Sequence, residues 1–175
     1  LVAVGRLAPQ KRFDLLLDGF AIARRELPDL RLEIAGEGPL REQLESHAVR
    51  SGMKGAVTFL GAVPDPFPLY RRAGALVLSS AYEGFGNVLV EAMGCGCPVI
   101  ATDCPYGPRE VLDGGRFGVL VPSGDAEALA AAIRSVIGDP ARARSLGEAG
   151  IGRAREFAPD RALAVWDGIF AELAS

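Results

Sequence analysis

The stretch Ala75-Leu76-Val77-Leu78-Ser79-Ser80-Ala81-Tyr82-Glu83-Gly84-Phe85-Gly86-Asn87-Val88-Leu89-Val90-Glu91-Ala92-Met93 reads in turn as a strand, a loop and a helix. Ala75 to Leu78 is a short apolar run, the mark of a strand buried on both faces. Gly84 and Gly86 let the loop backbone approach a ligand and aim N–H groups at it. The helix starts near Asn87, which puts Glu91 one turn along on the same face.

The same alternation extends outward in both directions. Val2 to Val4, Leu32 to Ala35, Val57 to Leu60, Val99 to Ala101 and Gly118 to Val121 read as further buried strands. Amphipathic helices separate them. Phe13, Leu16, Leu17, Phe20 and Ala21 share one helical face. Leu129, Ala132, Ile133, Val136 and Ile137 share another, behind Asp125 as cap. Asp139-Pro140 opens a further helix. A last one starts near Pro159 and buries Leu163, Trp166, Ile169, Phe170 and Leu173. This pattern predicts an α/β, Rossmann-like, doubly wound parallel sheet of about six strands, covered on both faces.

The 175 residues fit one domain, 1–175, with 49% apolar and 23% charged residues. A net charge of −3 gives no reason to expect nucleic acid as a partner. The sequence has neither a membrane-spanning apolar run nor a signal peptide, so a cytoplasmic location is expected. The chain opens at Leu1 inside a strand, which reads as a boundary within a longer protein. Cys95, Cys97 and Cys104 are an odd number with one close pair, better read as buried thiols than as a disulfide framework. His47 alone gives zinc too few partners.

In a doubly wound sheet the ligand sits at the carboxyl ends of the strands, where the strand order reverses. With the order 3-2-1-4-5-6, the loops after strands one and four face each other there. The first is Gly5-Arg6-Leu7-Ala8-Pro9-Gln10-Lys11-Arg12, which places three cations ahead of a helix N-terminus. It is either a solvated basic loop or a diphosphate site completed by the anion. The second is Ser79 to Asn87. Glu83 within it and Glu91 on the helix it leads into are either caps on a surface turn or acceptors for ligand hydroxyls. A ligand that suits both loops has a diphosphate and many hydroxyls, as a nucleotide sugar does. Gly36-Glu37-Gly38-Pro39 reads as a tight strand-to-helix turn.

The chain resembles glycosyltransferase family 4, retaining enzymes of the GT-B fold. The resemblance rests on Val4-Gly5-Arg6-Leu7 with Gln10-Lys11, Ile34 to Leu40, Phe59-Leu60-Gly61, Tyr82 to Gly86, Glu91-Ala92-Met93 and Gly96 to Ala101. Glu83 and Glu91 match its Glu-x7-Glu spacing. The resemblance implies that the chain is the C-terminal, donor-binding half of a GT-B enzyme. Arg6 and Lys11, beside Gly5, would hold the donor diphosphate, and Glu83 would contact the transferred sugar. Backbone amides of Phe85, Gly86, Asn87, Val88 and Leu89 would touch sugar and phosphates. Glu91 would bind the ribose hydroxyls, Asn87 a sugar hydroxyl, and Val63 the base. Cys104 to Glu110 is similar to members using UDP-hexoses or UDP-N-acetylhexosamines, with Tyr106 departing from a smaller residue.

The nucleotide sugar is a substrate, so no cofactor is implied. The sequence lacks an Asp-x-Asp motif, so metal-independent catalysis is expected. The acceptor would lie on an N-terminal domain absent from this sequence, which would also supply any peripheral membrane contact. The isolated chain is then expected to bind nucleotide without transferring sugar, and its terminal helix to expose Trp166 or Phe170 for pairing with another copy. Three rivals fit less well. A dehydrogenase domain needs Gly-x-Gly-x-x-Gly after strand one, where this chain has Gly-Arg-Leu. An epimerase or phosphorylase of the same fold differs at the catalytic loop. A non-catalytic module would have no need of intact Arg6, Lys11, Glu83 and Glu91.

Overall fold

The computed structural model describes residues 1–158 and Asp160. Its strands are β1 (Val2–Val4), β2 (Leu32–Ala35), β3 (Val57–Gly61), β4 (Leu76–Leu78), β5 (Val99–Asp103) and β6 (Val119–Pro122). They form one sheet in the order β3-β2-β1-β4-β5-β6, every neighbouring pair parallel. This is the predicted α/β Rossmann-like arrangement. The reversal of order falls between β1 and β4, which pair through Val2 and Leu76.

Parallel strands need crossovers, and helices supply them. They are α1 (Phe13–Arg24), α2 (Arg41–Arg50), α3 (Phe67–Arg72), α4 (Asn87–Gly94), α5 (Pro108–Val111), α6 (Ala126–Ile137) and α7 (Pro140–Ala154). Successive residues of each strand alternate between two cores. Ala3, Ile34, Val77 and Ile100 join Leu16 and Phe20 of α1 with Leu129 and Ile133 of α6. Val2, Ala35, Leu76, Leu78, Val99 and Ala101 join Tyr70 of α3 with Leu89 and Met93 of α4. Helices therefore clad both faces.

The predicted caps form. Asp125 accepts from the Ala128 amide at 2.8 Å, and Asp139 from those of Ala141 and Arg142 at 3.1 and 3.0 Å. Phe13, Leu16, Leu17 and Phe20 are buried as expected, whereas Ala21 and Ile137 sit only half-buried at the margin. All three cysteines are free thiols, Cys97 and Cys104 buried and Cys95 half-buried. The helix expected from Pro159, and the exposure expected of Trp166 or Phe170, lie outside the described residues. No helix among those described is long and apolar enough to cross a membrane.

Candidate functional site

The loops after β1 and β4 meet at the switch point. The Ala81 amide donates to the Gln10 carbonyl at 2.8 Å, and Gln10 Nε2 to the Tyr82 carbonyl at 2.8 Å. Ser79 Oγ donates to the Lys11 carbonyl at 2.8 Å. Lys11 Nζ then reaches Glu83 Oε1 at 2.6 Å, with both side chains largely buried. Ser80 Oγ donates to the same oxygen at 2.6 Å. Thr102 of β5, fully buried, donates to the Ser80 carbonyl at 2.6 Å and fixes the base of the loop. Glu83 Oε1 is thus held twice, while Oε2 has no hydrogen-bond partner among the described residues.

The three cations of the first loop have separate fates, which revises the argument for an anion there. Lys11 pairs with Glu83, and Arg12 pairs with Asp14 at 3.1 Å. Arg6 is exposed, and no ion pair among the described residues involves it. Two of the three charges are thus met within the chain in the absence of ligand. Leu7 beside it is fully buried, with its amide bonded to the Glu37 carbonyl at 2.9 Å and its carbonyl accepting from Leu40 at 3.0 Å.

Those last bonds explain the glycine turn after β2. A Cβ on Gly36 would sit 1.9 Å from the Gly5 carbonyl oxygen, and one on Gly38 would sit 2.4 Å from that of Leu7. The turn is tight, as predicted, and it also braces the Arg6 loop from behind. A comparable brace supports the second loop. A Cβ on Gly107 would meet the Phe85 carbonyl oxygen at 2.3 Å, and the Glu83 amide donates to Pro105 at 3.3 Å. Neither brace could be read from loop composition alone.

Gly86 caps α4 in the left-handed conformation, φ 90° and ψ 50°. The amides of Phe85, Gly86, Asn87 and Val88 have no backbone partner among the described residues. Leu89 is different: its amide already donates to the Gly86 carbonyl at 2.9 Å, and its side chain is fully buried. The four preceding amides lie at the positive end of α4, a setting that favours negative charge.

Glu91 sits apart from the Lys11–Glu83 pair. It lines a groove of about 780 Å³ with Phe67, Arg71, Phe85 and Asn87. Tyr70 Oη donates to its Oε2 at 2.9 Å. Burial, and then the bond to Glu91, push the Tyr70 phenol well above its ordinary range, so it stays a donor. Val63 is half-buried against the core on the α4 side of the sheet. Tyr106, the departure from a smaller residue, is 80% exposed with φ at 62°. Burial raises the Cys104 thiol, and the nearby Glu83 charge adds to the effect.

Comparison with known proteins gives this geometry a family. The family described as glycosyl transferases group 1 matches residues 1–153. The GDP-mannose-dependent phosphatidylinositol monomannoside mannosyltransferase of Mycolicibacterium smegmatis is 34% identical, covering 86% of this chain and 41% of its own length. The D-inositol 3-phosphate glycosyltransferase of Segniliparus rotundus is 36% identical, covering 96% and 38%. Among solved structures, the pneumococcal O-GlcNAc transferase in complex with UDP and GlcNAc superposes with a TM-score of 0.88 at 27% identity. That match covers 99% of this chain and 35% of that one. Anabaena HepE in complex with UDP gives 0.85 at 27%, over 99% and 48%. The chain therefore spans less than half the length of these proteins, and its sheet is that of the GT-B glycosyltransferases. The matched residues, 1–153, take in most of the chain, which therefore belongs to the group 1 glycosyltransferases.

Proposed function

We propose that the chain is the donor-binding unit of a retaining, family 4 type glycosyltransferase that takes a nucleotide-diphosphate sugar. The observation that carries this reading is the Lys11–Glu83 contact, which joins the loops after β1 and β4 at the point where such sheets bind ligand. UDP in two of the similar structures favours a UDP-hexose or UDP-N-acetylhexosamine, while one relative is named for GDP-mannose. The acceptor, a glycan or lipid-linked saccharide, would be held by a second domain. The transferase would work in the cytoplasm, at the membrane face when its acceptor is lipid-linked.

In the transfer, the bond from the anomeric carbon to the diphosphate breaks and one to the acceptor oxygen forms on the same face. The acceptor proton passes to the departing phosphate. Charge grows on the diphosphate as the sugar approaches an oxocarbenium ion. Arg6, Lys11 and the amides of Phe85 to Val88 would meet that charge. These groups are our reason to propose transfer without a metal or other cofactor. Glu83, held through Oε1, would present Oε2 to the sugar and orient it, without acting as nucleophile.

Calorimetric titration of the chain with UDP, GDP and ADP, each with and without magnesium, tests this. Preferential binding of one diphosphate, independent of magnesium and lost in Arg6→Ala and Lys11→Ala, is the expected outcome. Binding that survives both substitutions, or no binding, would overturn the assignment of the site.

A further inference from the structure

Tyr70, in the six-residue helix α3, is the largest fully buried side chain among the described residues. Its ring lies in the core between α3 and α4, edge-on to Phe67 with centroids 6.0 Å apart. Apolar packing alone would be served by phenylalanine. The hydroxyl donates to Glu91 Oε2 at 2.9 Å, its one hydrogen-bond partner among the described residues. A buried hydroxyl needs a partner, and this one has chosen a carboxylate that also lines the groove. Glu91 Oε1 has no hydrogen-bond partner among the described residues.

We infer that Tyr70 is a positioning residue of the donor site. Its hydroxyl occupies one oxygen of Glu91, so that the other is presented to a ribose diol in a fixed direction. The inference rests on Glu91 as the ribose contact. A free carboxylate could turn either oxygen to any nearby donor. A tethered one discriminates between a ribonucleotide and its deoxy analogue, because orientation is set before the ligand arrives.

The test is titration of the chain with UDP and with 2′-deoxy- and 3′-deoxy-UDP. The unsubstituted chain should favour UDP over the weaker deoxy analogue by about tenfold, the worth of one hydrogen bond to a charged group. Tyr70→Phe should bring that ratio towards one while leaving affinity for the deoxy analogue unchanged, an effect that a general loosening of the core would not produce. Glu91→Asp, which keeps the charge on a half-exposed helix position but withdraws the carboxylate from Tyr70, should do the same even if Tyr70→Phe fails to fold. A full ratio in either variant overturns the positioning role. Glu91→Gln separates the two levels: an unchanged ratio there overturns the ribose reading itself.

Discussion

Lys11 and Arg6 hold the same loop and the same formal charge, yet their settings differ. Lys11 is mostly buried against Glu83, which is 8% exposed, while Arg6 is in solvent. Lys11→Ala would leave the Glu83 carboxylate buried with only the Ser80 hydroxyl on the held oxygen. That should cost about 2 kcal/mol of folding stability. Arg6→Ala removes nothing from the interior and should stay within about 0.5 kcal/mol of the parent. Urea unfolding of the two variants checks the contrast; equal stabilities would show that the pair contributes nothing to the fold. Both residues stood out in the sequence because cations ahead of a helix are anomalous. Their difference did not, because it depends on Glu83 arriving from a distant loop. Tyr70, Ser80 and Thr102 were likewise silent, since a core tyrosine or a strand-end hydroxyl looks the same whether or not it holds a carboxylate.

At the scale of elements, strand order and helix faces were legible because period and apolar content are local properties. The braces between loops were not, because they are contacts between backbones. The Gly36 turn shows the consequence. Its backbone runs at φ 144°, and an added methyl would collide with the Gly5 carbonyl rather than with a movable side chain. Gly36→Ala must therefore push the Arg6 loop forward or break the Gly5–Ala35 bond of 2.9 Å. We expect a loss of about 3 kcal/mol or more from strain and overpacking, accompanied by loss of nucleotide binding. Gly84→Ala is the control, because no heavy atom lies within 4 Å of its added Cβ and its φ is not left-handed. Thermal melting of both variants decides the point. A Gly36→Ala chain as stable as Gly84→Ala would mean that the turn is not a brace.

Across the whole molecule, α7 closes the face that carries α4. Arg153 donates to the carbonyls of Val111 at 3.0 Å and Glu110 at 2.7 Å, at the end of α5. Its guanidinium also lies over the Phe157 ring, 4.6 Å from the centroid, and Phe157 packs edge-on against Phe85 of the loop after β4 at 5.4 Å. This face also buries groups that titrate in alkali. Burial pushes the Cys97 thiol up to about 12 from its ordinary 9.0, and raises Cys95, Cys104 and Tyr70 as well. In each case the folded chain holds its proton more tightly than the unfolded chain. The stabilisation is complete below the ordinary value, because both states are then protonated. As pH rises past 9.0 the unfolded thiols ionise first, and stability falls until the folded thiol ionises too, near 12 for Cys97. The slope is about 1.4 kcal/mol per pH unit for each group. Urea midpoints measured under reducing conditions should therefore fall between pH 9 and 11. Cys97→Ala should fall less steeply, since it removes the most strongly shifted thiol and sacrifices only weak S–H contacts to Ala73 and Pro98. An identical alkaline slope in that variant would show that Cys97 is already ionised in the folded chain at these pH values.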